Sequence, residues 1–136
     1  MSDIITFPLQ SISKTYLNML KKCNSNPQFY SVIIGYIVEP DVVVYTIEFG
    51  LLHPSNENIT VKRINLRYSK ILSLYESVVK EYPTVAKIQF PPKKWWNNVN
   101  KETAEYRLAA MQPFIQRLNQ FPTIQSNNIF EKLFLN

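Results

Sequence analysis

Glycine, cysteine and histidine are nearly missing from this chain, and each shortage removes a class of function. Two glycines in 136 residues, Gly35 and Gly50, cannot build a phosphate-cradling loop of the Walker or dinucleotide kind. The one cysteine, Cys23, has no partner for an internal disulfide and fits a reducing, cytoplasmic setting. The one histidine, His53, sits beside Pro54 among loop-forming residues and would have to serve any Ser-His or Cys-His nucleophile system. A lone Cys and a lone His at no ligand spacing leave no metal site, and no motif asks for a cofactor. Apolar runs such as 31–38 and 42–52 are broken before they could span a bilayer. Asp3 stands where a signal peptide would be positive, and no apolar stretch follows it. Without a constellation of acid, base and nucleophile, an enzyme is not expected.

What remains is one domain's worth of core. Apolar residues make up 46% of the chain, which excludes a disordered tail. Fifteen basic against ten acidic residues leave a net charge of +5, which favours anionic partners. Prolines and tryptophans meet in Phe90-Pro91-Pro92-Lys93-Lys94-Trp95-Trp96, followed by Asn97-Asn98. The prolines favour an extended segment and the asparagines a turn, so the tryptophans are expected on a projecting loop. Indole beside ammonium suits the boundary of a bilayer, where Trp sits at headgroup depth and Lys meets phosphate. The competing reading is that one or both tryptophans close the core and the lysines are ordinary surface charge.

Along the chain, residues 1–28 form an N-terminal segment. Ile12, Tyr16, Met19, Leu20 and Cys23 recur at helical spacing, compatible with a short amphipathic helix near residues 10–22. From Phe29 the period becomes two. Tyr30, Val32, Ile34, Tyr36 and Val38 mark a strand ended by Glu39-Pro40-Asp41. Val43, Tyr45, Ile47, Phe49 and Leu51 mark a second. A third, from Ile59 to Arg67, changes parity between Val61 and Ile64, which predicts a bulge or a strong twist near Lys62-Arg63 if both pairs are to be buried. Three consecutive strands with short links predict an antiparallel meander. Ser69 is expected to cap a helix over residues 70–82 with Ile71, Leu74, Tyr75, Val78 and Tyr82 on one face. A second helix is predicted over residues 101–120, kinked at Pro113, and a third over 127–135. The fold class is therefore α+β: a three-stranded antiparallel meander against a helical subdomain of three to four helices, with a proline-rich loop between them.

This order, and four short motifs within it, resemble the PX (Phox-homology) domain. Leu66-Arg67-Tyr68-Ser69 is similar to the family's Arg-Tyr motif, and Phe90-Pro91-Pro92-Lys93 to its proline loop. Ala104-Glu105-Tyr106-Arg107 is similar to the helix that supplies a second arginine, and Phe121-Pro122 followed by 130–135 to its ending. The resemblance covers residues from about 29 to 135 and implies a domain over 29–136. It implies binding of phosphatidylinositol 3-phosphate by Arg67 at the 3-phosphate, Tyr68 beneath the inositol ring, Lys93 at the 1-phosphate and Arg107 at the 4- and 5-hydroxyls. Lys93 and Lys94 compete for one of these roles. Trp95, Trp96 and Val99 would enter the bilayer interface, with Lys94 and Lys101 as accessory charges. The expected role is recruitment, peripherally, to endosomal or vacuolar membranes in trafficking. Departures from the family pattern are Leu66 where a basic residue is common, Lys70 where an acid is common, and Ile71 where an aromatic is common. The other reading is a protein-interaction scaffold of the same fold, its protein partner held by Pro91-Pro92 or the tryptophan loop. A nucleic-acid partner is not expected, because the aromatics fall mostly at core parity.

Overall fold

The computed structural model describes residues 3–8, 29–52, 58–93 and 99–135, of which 3–8, 52, 58 and 59 are described by backbone alone. The expected helix near residues 10–22, His53, Lys94, Trp95 and Trp96 lie outside the described residues. One antiparallel sheet holds β1 (Asp3–Pro8), β2 (Phe29–Val38), β3 (Val43–Leu52) and β4 (Asn58–Arg67) in the order β1-β4-β3-β2. The predicted meander is β2-β3-β4. The additional strand β1 pairs with β4, Asp3 opposite Arg63 through Pro8 opposite Asn58. Three helices follow: α1 (Tyr68–Glu81), α2 (Lys101–Gln116) and the short α3 (Asn128–Phe130), which runs on as a π-helical turn over Glu131–Leu135.

Two details of the strands differ from the periodicity reading. The β3–β4 register runs without a shift from Val44 opposite Arg67 to Leu52 opposite Ile59, so β4 has no bulge. Its parity change is real but is met from both sides. Leu66 and Ile64 face the helices, opposite Tyr45 and Ile47, while Val61 is buried on the other face opposite Gly50. The register shift lies in β2, between Ile33 and Gly35. Before it, every residue from Phe29 to Ile33 is buried; beyond it, Ile34, Ile37 and Val38 are exposed. A single alternating face through Ile34 and Val38 is therefore not what β2 presents, because the inserted residue changes which parity points inward.

The outer face of the sheet is sealed by a compact group. Tyr30 lies over Gly50, where an added Cβ would stand 2.0 Å from the ring, so only glycine fits. The Tyr30 hydroxyl donates to Glu48 (2.9 Å), whose carboxylate also takes Arg63 (3.2 Å).

The main core lies between the sheet and the helices. Tyr45, Ile47 and Phe49 of β3 meet Ile71, Leu74 and Val78 of α1, Met111 and Phe114 of α2, and Phe130 and Phe134 at the chain end. Phe29, Phe49, Phe130 and Phe134 form a continuous aromatic cluster with centroids 5.0 to 6.0 Å apart. α2 is fastened along the free side of β2 by side chains. Tyr36 Oη donates to Glu105 (2.9 Å), the Gln112 amide both accepts from Ile33 N–H (2.8 Å) and donates to Ile33 C=O (2.7 Å), and Ser31 Oγ donates to the Ile115 carbonyl (2.6 Å). Just past α2, Asn119 Nδ2 donates to the Phe29 carbonyl (3.1 Å). Pro113 is carried inside α2, which ends at Gln116 rather than near residue 120 and gives way to a 3-10 turn, Leu118–Gln120.

Candidate functional site

The site begins where β4 turns directly into α1. Arg67 is the last residue of the strand and, with extended backbone (φ −76°, ψ 157°), the N-cap of the helix; Ser69, the expected cap, already lies in the first turn. This junction needs no linker, and it turns two adjacent side chains in opposite directions. Arg67 is exposed, while Tyr68 is buried with its hydroxyl donating to the Pro91 carbonyl. That bond ties the proline segment to the start of α1. Phe90 locks it further, its ring edge-on to Tyr68 (5.8 Å) and stacked on Tyr75 (4.5 Å). Lys93 is thereby held, exposed, beside the same opening.

Arg107 arrives from α2. Asn100 caps that helix by accepting from the Thr103 N–H (2.8 Å), and Glu102 in the first turn suits the positive end of the helix dipole. One and a half turns on, Arg107 enters the interior at only 7% exposure. Its guanidinium lies 3.9 Å over the Tyr68 ring. It pairs with neither Glu102 nor Glu105; Glu105 instead takes Tyr36 and, at 3.9 Å, Lys101. Among the described residues no carboxylate neutralises Arg107 or Arg67.

The three cations surround one cavity of about 400 Å³, lined also by Tyr68, Ser69, Leu72, Val99 and the Asp41-Val42-Val43 end of the β2–β3 hairpin. Val99 is half-buried and packs against the core at the base of the proline loop. Burial pushes the Tyr68 phenol's pKa up, Arg107 partly opposing the shift and Glu76 adding to it. Tyr45, fully buried, shifts the same way for the same first reason, again opposed by Arg107, and its hydroxyl forms no hydrogen bond of good geometry. The two phenols thus make a polarisable, neutral seat for the guanidinium without discharging it.

A buried cation without an anion costs free energy unless something supplies charge or hydrogen bonds. A phosphate or a polyhydroxylated ring does both, and the cavity is within the size range of small-ligand sites. The sequence reading singled out Arg67, Tyr68, Lys93 and Arg107, and the structure brings all four to this cavity. It missed the hairpin residues Asp41 to Val43 and the phenol of Tyr45. Asp41 was legible only as a turn residue, and nothing in spacing alone shows that the turn folds over the end of β4. Among the described residues no cluster could hold a metal ion, and no helix is long and apolar enough to cross a membrane.

Comparison with curated protein sequences finds no match. Among solved structures, the chain is similar to the X-ray structure of a designed CISK-PX domain, with 21% identity over 75% of this chain and 94% of the other and a TM-score of 0.54. It is also similar to the mouse SNX19 PX domain, solved with a bound sulphate ion, at 19% identity over 77% and 93% of the two chains and a TM-score of 0.52. Both likenesses are of fold. A sequence model of the PX domain matches residues 52–136, from the end of β3 to the C-terminal turn, and so takes in all four pocket residues. PX domains are in general phosphoinositide-binding, membrane-targeting modules rather than enzymes. The chain belongs to the PX domain family.

Proposed function

We propose that this domain recognises phosphatidylinositol 3-phosphate and recruits whatever carries it to endosomal or vacuolar membranes. The observation that supports this most is the buried, uncompensated Arg107 facing the same cavity as Arg67 and Lys93. Arg67, exposed at the rim, takes the 3-phosphate through its guanidinium fork, and Lys93 takes the 1-phosphate from the opposite side. Arg107, fixed against Tyr68, donates to the 4- and 5-hydroxyls. Its short reach from the interior favours hydroxyls over bulkier phosphates there. Tyr68 forms part of the floor under the ring. Trp95 and Trp96, with Val99 at the base of the loop, enter the interface beside the headgroup, and Lys94 and Lys101 add attraction to an anionic leaflet. Headgroup binding and insertion reinforce one another because each holds the other at the membrane. The lipid-binding unit in this reading is residues 29–136.

Liposome flotation with wild type and Arg67→Ala, across membranes carrying each phosphoinositide in turn, tests this. The wild type is expected to float with the 3-phosphate lipid and Arg67→Ala to stay in solution. A wild type that ignores every phosphoinositide refutes the lipid function and turns attention to a protein partner.

A further inference from the structure

One wall of the cationic cavity is acidic. Asp41 stands in the β2–β3 turn, which is closed by the Glu39 N–H donating to the Val42 carbonyl (2.8 Å), and it lines the cavity with Arg67, Lys93 and Arg107. An aspartate in a turn ordinarily serves the turn, by accepting from nearby backbone N–H groups. Asp41 does not: among the described residues its carboxylate has neither a hydrogen bond nor a cationic partner. It is exposed, so it remains an available acceptor at the mouth.

Resting on the reading of this cavity as a headgroup site, we infer that Asp41 limits how many phosphates the bound inositol ring can carry. A carboxylate is an acceptor only. A free ring hydroxyl can donate to it, whereas a phosphate at the same place brings only acceptors and about −1.5 to −2 charges. The same side chain therefore rewards a hydroxyl and repels a phosphate. Arg67 and Lys93 attract any phosphorylated headgroup, so attraction alone would favour the most highly charged lipid. The carboxylate opposes that order and, together with Arg107, biases the site toward monophosphorylated headgroups.

The test is equilibrium binding of wild type, Asp41→Asn, Asp41→Glu and Arg67→Ala to vesicles bearing phosphatidylinositol 3-phosphate, a 3,4- or 3,5-bisphosphate, or the 3,4,5-trisphosphate. Phosphatidylserine balances the total charge so that only the headgroup differs. Wild type is expected to prefer the monophosphate. Asp41→Asn, isosteric and still able to fold its turn, is expected to move the ratio of bisphosphate to monophosphate affinity upward about fivefold, the Coulomb factor for a carboxylate and a phosphate dianion about 8 Å apart in water. Asp41→Glu should retain the wild-type ratio. An unchanged ratio in Asp41→Asn overturns the inference, as does a wild type that prefers the more phosphorylated lipids. If wild type binds the monophosphate through Arg67 while the ratio ignores Asp41, the lipid function stands and only the role of Asp41 falls. If wild type binds no phosphoinositide, both fall.

Discussion

Replacing Arg107 by methionine should separate what this residue does for the fold from what it does for a ligand. Methionine keeps the apolar stem of the side chain against Tyr45, Tyr68 and the α2 face, and it removes the guanidinium and its charge. The guanidinium is buried, is opposed by no carboxylate among the described residues, and lies 3.9 Å over the Tyr68 ring. Losing the ring contact costs about 1 to 2 kcal/mol. Losing the desolvated, unpaired charge returns about 1 to 4 kcal/mol, judging from exchanges of buried ionic groups for apolar ones. The balance runs from about 1 kcal/mol less stable to about 3 kcal/mol more stable than wild type, centred near a gain of about 1 kcal/mol, or a Tm raised by about 3 to 5 °C for a chain of this size. Lipid binding should fall by about 100-fold, the loss of two charge-assisted hydrogen bonds at about 1.5 kcal/mol each. Thermal unfolding by circular dichroism and vesicle titration read the two quantities on one sample. A Tm lowered by more than about 5 °C would refute the argument, because the guanidinium would then be a structural element. Unaltered binding would refute its place in the pocket.

Gly50→Ala puts a methyl group into the Tyr30 ring. It should cost about 1 to 3 kcal/mol in urea unfolding, and the double variant with Tyr30→Ala should lose less than the sum of the two single losses because the clash goes. Asn127→Ala removes the acceptor for the Ile129 and Phe130 N–H groups and the donor to Ser77 and Glu81. Because Asn127 is buried, a loss of about 2 to 3 kcal/mol is expected, with the C-terminal turn the first part to exchange amide hydrogens. Tyr45 and Tyr68 have folded pKa values raised above 10.0 by burial, so the unfolded chain loses these protons first. Their contribution is fully present below pH 10 and is lost as pH rises through the folded values, so stability should fall in alkaline solution. Tyr45→Phe should flatten that fall and, by removing a buried hydroxyl that makes no well-formed hydrogen bond, leave neutral-pH stability equal or higher; a steeper fall would contradict it.

The β2-β3-β4 meander and the helices were legible because their periods are long and their breakers strong. β3 shows five apolar residues at strict alternation, and Pro83 stands two residues beyond the end of α1. Arg67, Tyr68, Lys93 and Arg107 were legible through short motifs: Arg67 and Tyr68 at the junction of β4 and α1, Lys93 beside the paired prolines, and Arg107 inside α2 in the Ala104-Glu105-Tyr106-Arg107 run. Three things were not legible, each for its own reason. The bulge in β2 depends on α2: Gln112 occupies both hydrogen-bonding groups of Ile33, a contact between residues 79 apart that no local pattern encodes. Strand β1 is six residues with a terminal proline, tolerable because it forms an edge of the sheet. Asp41 reads as turn chemistry until the hairpin is seen to fold over the site.

The row of side-chain bridges from Tyr36, Ile33, Ser31 and Phe29 to α2 and the turn behind it spans 69 to 90 residues of chain. Contacts between residues so far apart carry the entropy of closing long loops, and Arg107 reaches the cavity only through the docking that these contacts secure. A partly folded chain, or one cut before α2, would expose Arg67 at the end of β4 without its buried counterpart. The complete cationic pocket is thereby a property of the finished domain and of no part of it.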